Sequence, residues 1–219
     1  AARRAANQAF ADSQPAPTLP LLELAEFYYQ RGTSASAIGR AQQFLDDSKK
    51  ADEIAVASNV PPQRRLRYIQ NVALAYMGIG DLKNGMEAQR QRLQVASRTD
   101  PSIGPMVSTY QSLANAQVRM GQIEAARESV AAAEKIAATA GPRMQKALKD
   151  NMNGLVLRAR GALALETGRP EEAESAFRAA LALSLIVIVA GGGVIATKGL
   201  PLGIEFAGGT SIIAQFDQP

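Results

Sequence analysis

The chain has 219 residues, a formal charge of +4, and neither cysteine nor histidine. Those two absences exclude disulfides, thiolate and imidazole metal sites, the Ser-His-Asp triad and the Cys-His dyad. The basic excess is small, Lys and Arg alternate with Asp and Glu, and tryptophan is missing beside six Phe and five Tyr, so no nucleic-acid partner and no stacking platform for single strands is expected.

Residues 1–20 hold three prolines near their end and little apolar periodicity, which predicts a disordered lead-in. No apolar stretch follows Arg3 and Arg4, so a secretory leader is not expected there. From Leu21 a unit recurs. "GTSASA" from Gly32, "GDLKNG" from Gly80, "GQIEAA" from Gly121 and "GRPEEA" from Gly168 align, with Ala37, Gly85, Ala126 or Ala173 five positions on. A helical stretch precedes each glycine and another follows it. Glycine can take the positive φ that ends a helix, and a small residue beyond it lets the second helix lie close to the first. Each unit reads as a helical hairpin, joined by connectors such as "SNVPPQ" and "SRTDPSIGP".

The pattern resembles the tetratricopeptide repeat family. Ala25, Tyr28, Gly32 and Ala37 match it in the first unit, and Ala73, Tyr76 and Gly80 in the second, with Gly85 where the family has alanine. Ala114, Gly121 and Ala126 match in the third unit, and Gly161, Gly168, Ala173 and Phe177 in the fourth. The family's aromatic is replaced by Gln117 and Ala164, and the glycines stand 48, 41 and 47 residues apart rather than 34. The resemblance implies a superhelical stack of about four hairpins over residues 21–182, its first helices lining a concave groove for a peptide or protein ligand. Carried onto this chain, the groove positions are Arg67, Gln70, Gln111, Asn115, Arg119 and Arg158. Guanidinium forks and amides suit carboxylates and extended peptide backbone. The same residues would also serve as an ordinary solvated helix surface.

Other constellations read as structural. Glu171, Glu172 and Glu174 open a helix after Pro170, where negative charge complements the helix dipole. "GIGDLKNG" lacks the preceding strand and the Lys-Ser/Thr pair of a phosphate loop. Tyr28 and Tyr29 are expected to pack between hairpins. No acid, base and nucleophile converge, so no enzyme, no cofactor and no metal site is expected.

Between Arg178 and Lys198 lie 19 uncharged residues, "AALALSLIVIVAGGGVIAT". As a helix they would extend roughly 28 Å, close to the hydrocarbon thickness of a bilayer. Residues 183–198 are therefore a candidate membrane helix, into which the last helix of the fourth unit runs with no linker. The alternative is soluble, with "LIVIV" and "VIAT" as buried strands about Gly191, Gly192 and Gly193. The segment from Leu183 to Pro219 resembles the start of SecF, the export subunit that works with SecD beside the bacterial Sec translocon. It carries Gly203, Ile204, Glu205, Phe206, Gly208, Gly209 and Thr210, then "SIIAQF", with Glu205 for the family's usual Asp and Pro201 for a frequent Asn. By that resemblance residues 199–219 leave the membrane and start an extracytoplasmic β segment, Glu205 is structural, SecD and the translocon are partners, and the repeats lie on the cytoplasmic side of the inner membrane.

The sequence is thus read as mainly α: a non-enzymatic interaction scaffold joined to an export-type membrane segment. Two alternatives stand beside it. One is a fragment or fusion of a SecF-type translocase subunit, and the other a soluble adaptor with a C-terminal β hairpin.

Overall fold

The computed structural model describes residues 2–99, 103–141 and 144–198. Among them the chain forms helices only: Ala2–Ala11 (α1), Leu21–Ala37 (α2), Ala41–Ala57 (α3), Pro62–Gly78 (α4), Leu82–Thr99 (α5), Ile103–Arg119 (α6), Ile123–Ala138 (α7), Lys146–Glu166 (α8) and Pro170–Lys198 (α9). Pairs α2–α3, α4–α5, α6–α7 and α8–α9 pack as antiparallel hairpins, and each first helix also packs on the second helix of the hairpin before it. This is the expected stack of four hairpins, with α1 laid against α2 ahead of it.

Every hairpin turns in the same way. Gly39, Gly80, Gly121 and Gly168 have φ of +88°, +86°, +70° and +72°, a region that costs any residue with a Cβ. At each, the next residue's N–H bonds back to a carbonyl four positions before the glycine: Arg40 to Ala35, Asp81 to Tyr76, Gln122 to Gln117 and Arg169 to Ala164, all 2.9 Å. These are Schellman closures, which satisfy the last free carbonyls of the first helix. Asp81 then caps α5, its Oδ1 accepting from the Asn84 N–H at 3.1 Å, and that bond holds the Asp81 carboxyl below its usual range. The glycine-rich segment about Gly80 is accordingly a turn and a cap.

The first turn corrects the sequence reading. Gly32 lies inside α2 and is buried, and the chain turns seven residues later, at Gly39. Seven residues are about two helical turns, so apolar periodicity looks the same in either register. In the corrected frame Gly39, Gly80 and Gly121 are 41 residues apart (80 − 39 and 121 − 80), and Gly32, Ala73, Ala114 and Gly161 share one position, seven before the turn. There the two helices of a hairpin touch. A Cβ on Gly32 would meet Asp47 Cβ at 3.0 Å, and one on Gly161 would meet the Phe177 ring at 2.7 Å.

The disordered lead-in is a second correction. Residues 2–11 are helical, Ala11 is buried, and the Phe10 ring lies 5.5 Å from Phe27. Three groups of the first hairpin hold the end of α1. Arg31 Nη1 donates to Ser13 O at 3.0 Å, Gln43 Nε2 to Ala11 O at 2.6 Å, and Arg40 pairs with Asp12 at 2.5 Å. Arg31 in turn is forked onto Asp47, at 3.0 and 2.7 Å, over the rings of Phe27 and Tyr28.

The core is a chain of small clusters rather than one centre, as a stack of repeats requires. Ala25, Ala51, Ala55, Val60 and Tyr68 join the first two hairpins, with Tyr28 and Tyr29 against them as expected. Met86, Leu113 and Ala116 join the second to the third, and Val107, Ala133, Met152 and Val156 the third to the fourth. Alanine is frequent at these contacts, so the helices approach closely.

Helix α9 opens with Glu171 and Glu172 in its first turn, as the dipole argument requires, and Arg169 pairs with Glu172 at 2.6 Å. It then continues to Lys198, so the apolar run is helical and the strands proposed for "LIVIV" and "VIAT" do not form. Among the described residues no helix is long and apolar enough to cross a membrane, although several side chains of the candidate span at 183–198 lie outside them. Leu181, Leu185, Ile186, Ile188 and Val189 are all at least half exposed. The expected β segment at 199–219, with Gly203, Ile204, Glu205, Phe206, Gly208, Gly209 and Thr210, lies outside the described residues.

Candidate functional site

The predicted groove residues fall on the first helices in one register. Gln70, Gln111 and Arg158 each stand ten positions before their turn glycine, Asn115 six before and Arg119 two before, while Arg67 stands thirteen before. Steps of three and four put such residues on one helix stripe, repeated from hairpin to hairpin. The same stripe on α2 reads Glu26, Tyr29 and Thr33. These were missed because the first turn was placed at Gly32, and Gly39 in "AIGRA" was the sequence signal that would have supplied them.

Glu26, Tyr29 and Thr33 meet residues of α4. Arg67 Nη2 lies 3.2 Å from Glu26 Oε1, and its guanidinium carbon is 4.6 Å from the centre of the Tyr29 ring. Tyr68 Oη donates to the other Glu26 oxygen at 2.8 Å, and Asn71 Nδ2 donates to Thr33 Oγ1 at 3.2 Å. Burial, reinforced by that bond to Glu26, holds the Tyr68 phenol well above its ordinary pKa. Arg67, expected as a free ligand-gripping cation, is therefore already committed to a carboxylate and a ring. Beside it opens a cavity of about 320 Å³ lined by Phe10, Tyr29, Gln30, Thr33 and Ser34.

The remaining groove residues are less committed. Gln70 is half-buried and accepts from Arg92 Nη2 at 3.0 Å. Gln111 is half-buried on α6, Asn115 has a buried Oδ1 with no partner among the described residues, and Arg119 is exposed without an ion pair there. Arg158 departs from the group. It lines a cavity of about 200 Å³ with Asp150, Gly154, Leu183, Ser184 and Ile188, on the open end of the fourth hairpin. Among the described residues no cluster of carboxylates could hold a metal ion.

The arrangement is a mainly polar stripe along α4 and α6. Leu74, 44% exposed, is the apolar residue of the α4 stripe, flanked by amides that can both donate and accept. It can hold an extended chain through paired hydrogen bonds.

Comparison with known proteins agrees with this architecture. A model described as the SecD/SecF GG motif matches residues 193–219. No curated protein matches the chain. Three solved structures share the fold at 13–16% identity, a level at which the likeness is one of fold alone. BtubC (BKLC) from P. vanneervenii has a TM-score of 0.65 at 13% identity, over 100% of this chain and 82% of that one. The Rap conjugation gene regulator of plasmid pLS20, solved in complex with the Phr* peptide, has a TM-score of 0.59 at 15% identity, over 93% of this chain; the chain spans only 54% of the regulator. A Podosopora anserina protein of kinesin light chain type, with nearly identical TPR-like repeats, has a TM-score of 0.53 at 16% identity, over 83% of each chain. The described residues thus share their fold, a stack of helical hairpins, with TPR-like repeat proteins.

Proposed function

We propose that the chain is a non-enzymatic binding scaffold whose concave stripe takes up an extended segment of a peptide or protein partner. The observation that carries this is the shared register of Gln70, Gln111, Asn115 and Arg119 beside Leu74, which sets donors and acceptors along one trough. The Rap regulator of similar fold is solved in complex with a peptide, which supports a peptide as the class of partner. A photo-crosslinking residue in place of Leu74, compared with one in place of Arg127 on the outward helix α7, tests it. Cross-links from position 74 only, lost on Asn115→Ala with Arg119→Ala, are the expected result. Equal cross-linking from both faces would refute it.

The match to the SecD/SecF motif at 193–219 and the uncharged run before it support tethering at the bacterial inner membrane, with the repeats on the cytoplasmic side and SecD and the Sec translocon as neighbours. The same match favours a second reading, in which this is part of a SecF-type subunit. Alkaline extraction of membranes separates tether from soluble adaptor: a tethered chain stays in the pellet, and release to the supernatant rules the tether out.

A further inference from the structure

Arg92 on α5 is 5% exposed, yet its guanidinium meets only neutral acceptors. Nε donates to Leu66 O at 3.2 Å, Nη1 to Pro105 O at 3.3 Å, Ser108 Oγ at 3.1 Å and Thr109 Oγ1, and Nη2 to Gln70 Oε1 at 3.0 Å. No carboxylate pairs with it among the described residues, whereas the other inward-facing arginine, Arg31, is forked onto Asp47. A buried cation without a counter-charge is costly. Burial pushes the Arg92 pKa down to about 10, which leaves it charged at neutral pH.

Its surroundings add to that potential. Pro105 belongs to the first turn of α6, the positive end of that helix dipole. Helices α4 and α6 hardly meet, in contrast to α6 and α8, so the second and third hairpins are joined chiefly by α5 against α6. Gln70, half-buried on the α4 stripe, is the acceptor that Nη2 meets.

We propose that Arg92 is an anion receptor in the floor of the trough, and that a glutamate or aspartate carboxylate of an acidic peptide segment replaces Gln70 Oε1 on Nη2. The incoming carboxylate supplies a counter-charge that none of the described residues provides, and forms a charge-assisted bond in a water-poor place, where such bonds are strongest. Arg67, already neutralised by Glu26, contributes little, and exposed Arg119 steers the approach. This deepens the reading of the concave face as a peptide groove and rests on it.

The test follows the Arg92 Nε–Hε resonance of the full chain during titration with a blocked hexaglutamate peptide and its hexaglutamine counterpart. Saturable movement with the first and none with the second is the expected result. Gln70→Glu provides an independent arm, because it places a resident carboxylate on the same nitrogen. It should raise the thermal midpoint by about 2–4 °C and weaken hexaglutamate binding by roughly tenfold or more. A lowered midpoint, or an Arg92 resonance that ignores both peptides, overturns the proposal. If cross-linking from position 74 still occurs in that case, the groove reading stands and only the anion receptor fails; if it is lost as well, the groove reading fails too.

Discussion

Arg31→Met removes the partner of a buried carboxylate. Asp47 is 4% exposed and takes both of its ionic bonds from Arg31. Breaking one side of a buried pair costs about 3–5 kcal/mol, because the survivor stays charged out of water. The Arg31 side chain keeps 14% of its exposure, so water reaches the pair and the lower end, about 3 kcal/mol, applies. Loss of the bond to Ser13 O adds about 1 kcal/mol. The lost cation–π contact on Phe27 and Tyr28, about 0.5–1 kcal/mol, is offset by the methionine sulfur on the same rings. The net expectation is a loss of about 3–4 kcal/mol, read by urea unfolding followed through the helical circular dichroism signal. Because the stack is quasi-one-dimensional, the loss should appear as early melting of the first hairpin and faster proteolysis between α1 and α2, not as uniform destabilisation. Arg31→Met combined with Asp47→Leu should recover most of it, since an apolar pair leaves no stranded charge. A single variant within about 0.5 kcal/mol of wild type, with α1 still protected, would show that the pair holds nothing together.

The register of the first hairpin can be tested at its turn: Gly39→Ala, at φ +88°, should cost about 1–2 kcal/mol, Gly39→Asn clearly less, and equal effects in chemical denaturation would contradict the left-handed turn. Tyr68 sets the alkaline limb. The unfolded phenol ionises near pH 10 and the folded one higher, so the stability it contributes is complete below pH 10 and is lost as the pH rises toward the folded value. Tyr68→Phe should lose about 1 kcal/mol at neutral pH and show a flatter fall in thermal midpoint above pH 10. Arg92, whose pKa is lowered, works in the opposite sense and is relieved over the same range, so it cannot mimic the effect, and parallel slopes would count against the Tyr68–Glu26 bond.

Hairpins were legible because a turn glycine followed by a small residue is a local requirement, and three of the four glycines were placed correctly. The fourth was misplaced for a physical reason. Gly32 is also a required glycine, but what requires it is the approach of α3, a tertiary contact that composition cannot tell from a turn. The helix in residues 2–11 has a local signal, because "AARRAANQAFA" is rich in the strong helix formers Ala and Arg, but the prolines that follow it give the opposite one. Its order depends on Arg31, Arg40 and Gln43, which are distant in sequence. Arg92 did leave a trace: with Gly85, Gln89 and Ala96 it follows helical spacing on the inward face of α5, a stripe in which Gln89 and Arg92 are polar. What it touches, on α4 and α6, was beyond reach until the helices were stacked.

Helix α9 runs from the last turn to Lys198 without a break. At 1.5 Å per residue, its 29 residues make a rod of about 43 Å. Such a rod has no swivel. Whatever grips its distal half also fixes the azimuth of the fourth hairpin, and through the hairpins stacked on one another it orients the open side of the trough. A change of pitch among the hairpins would then reach the far end as torque.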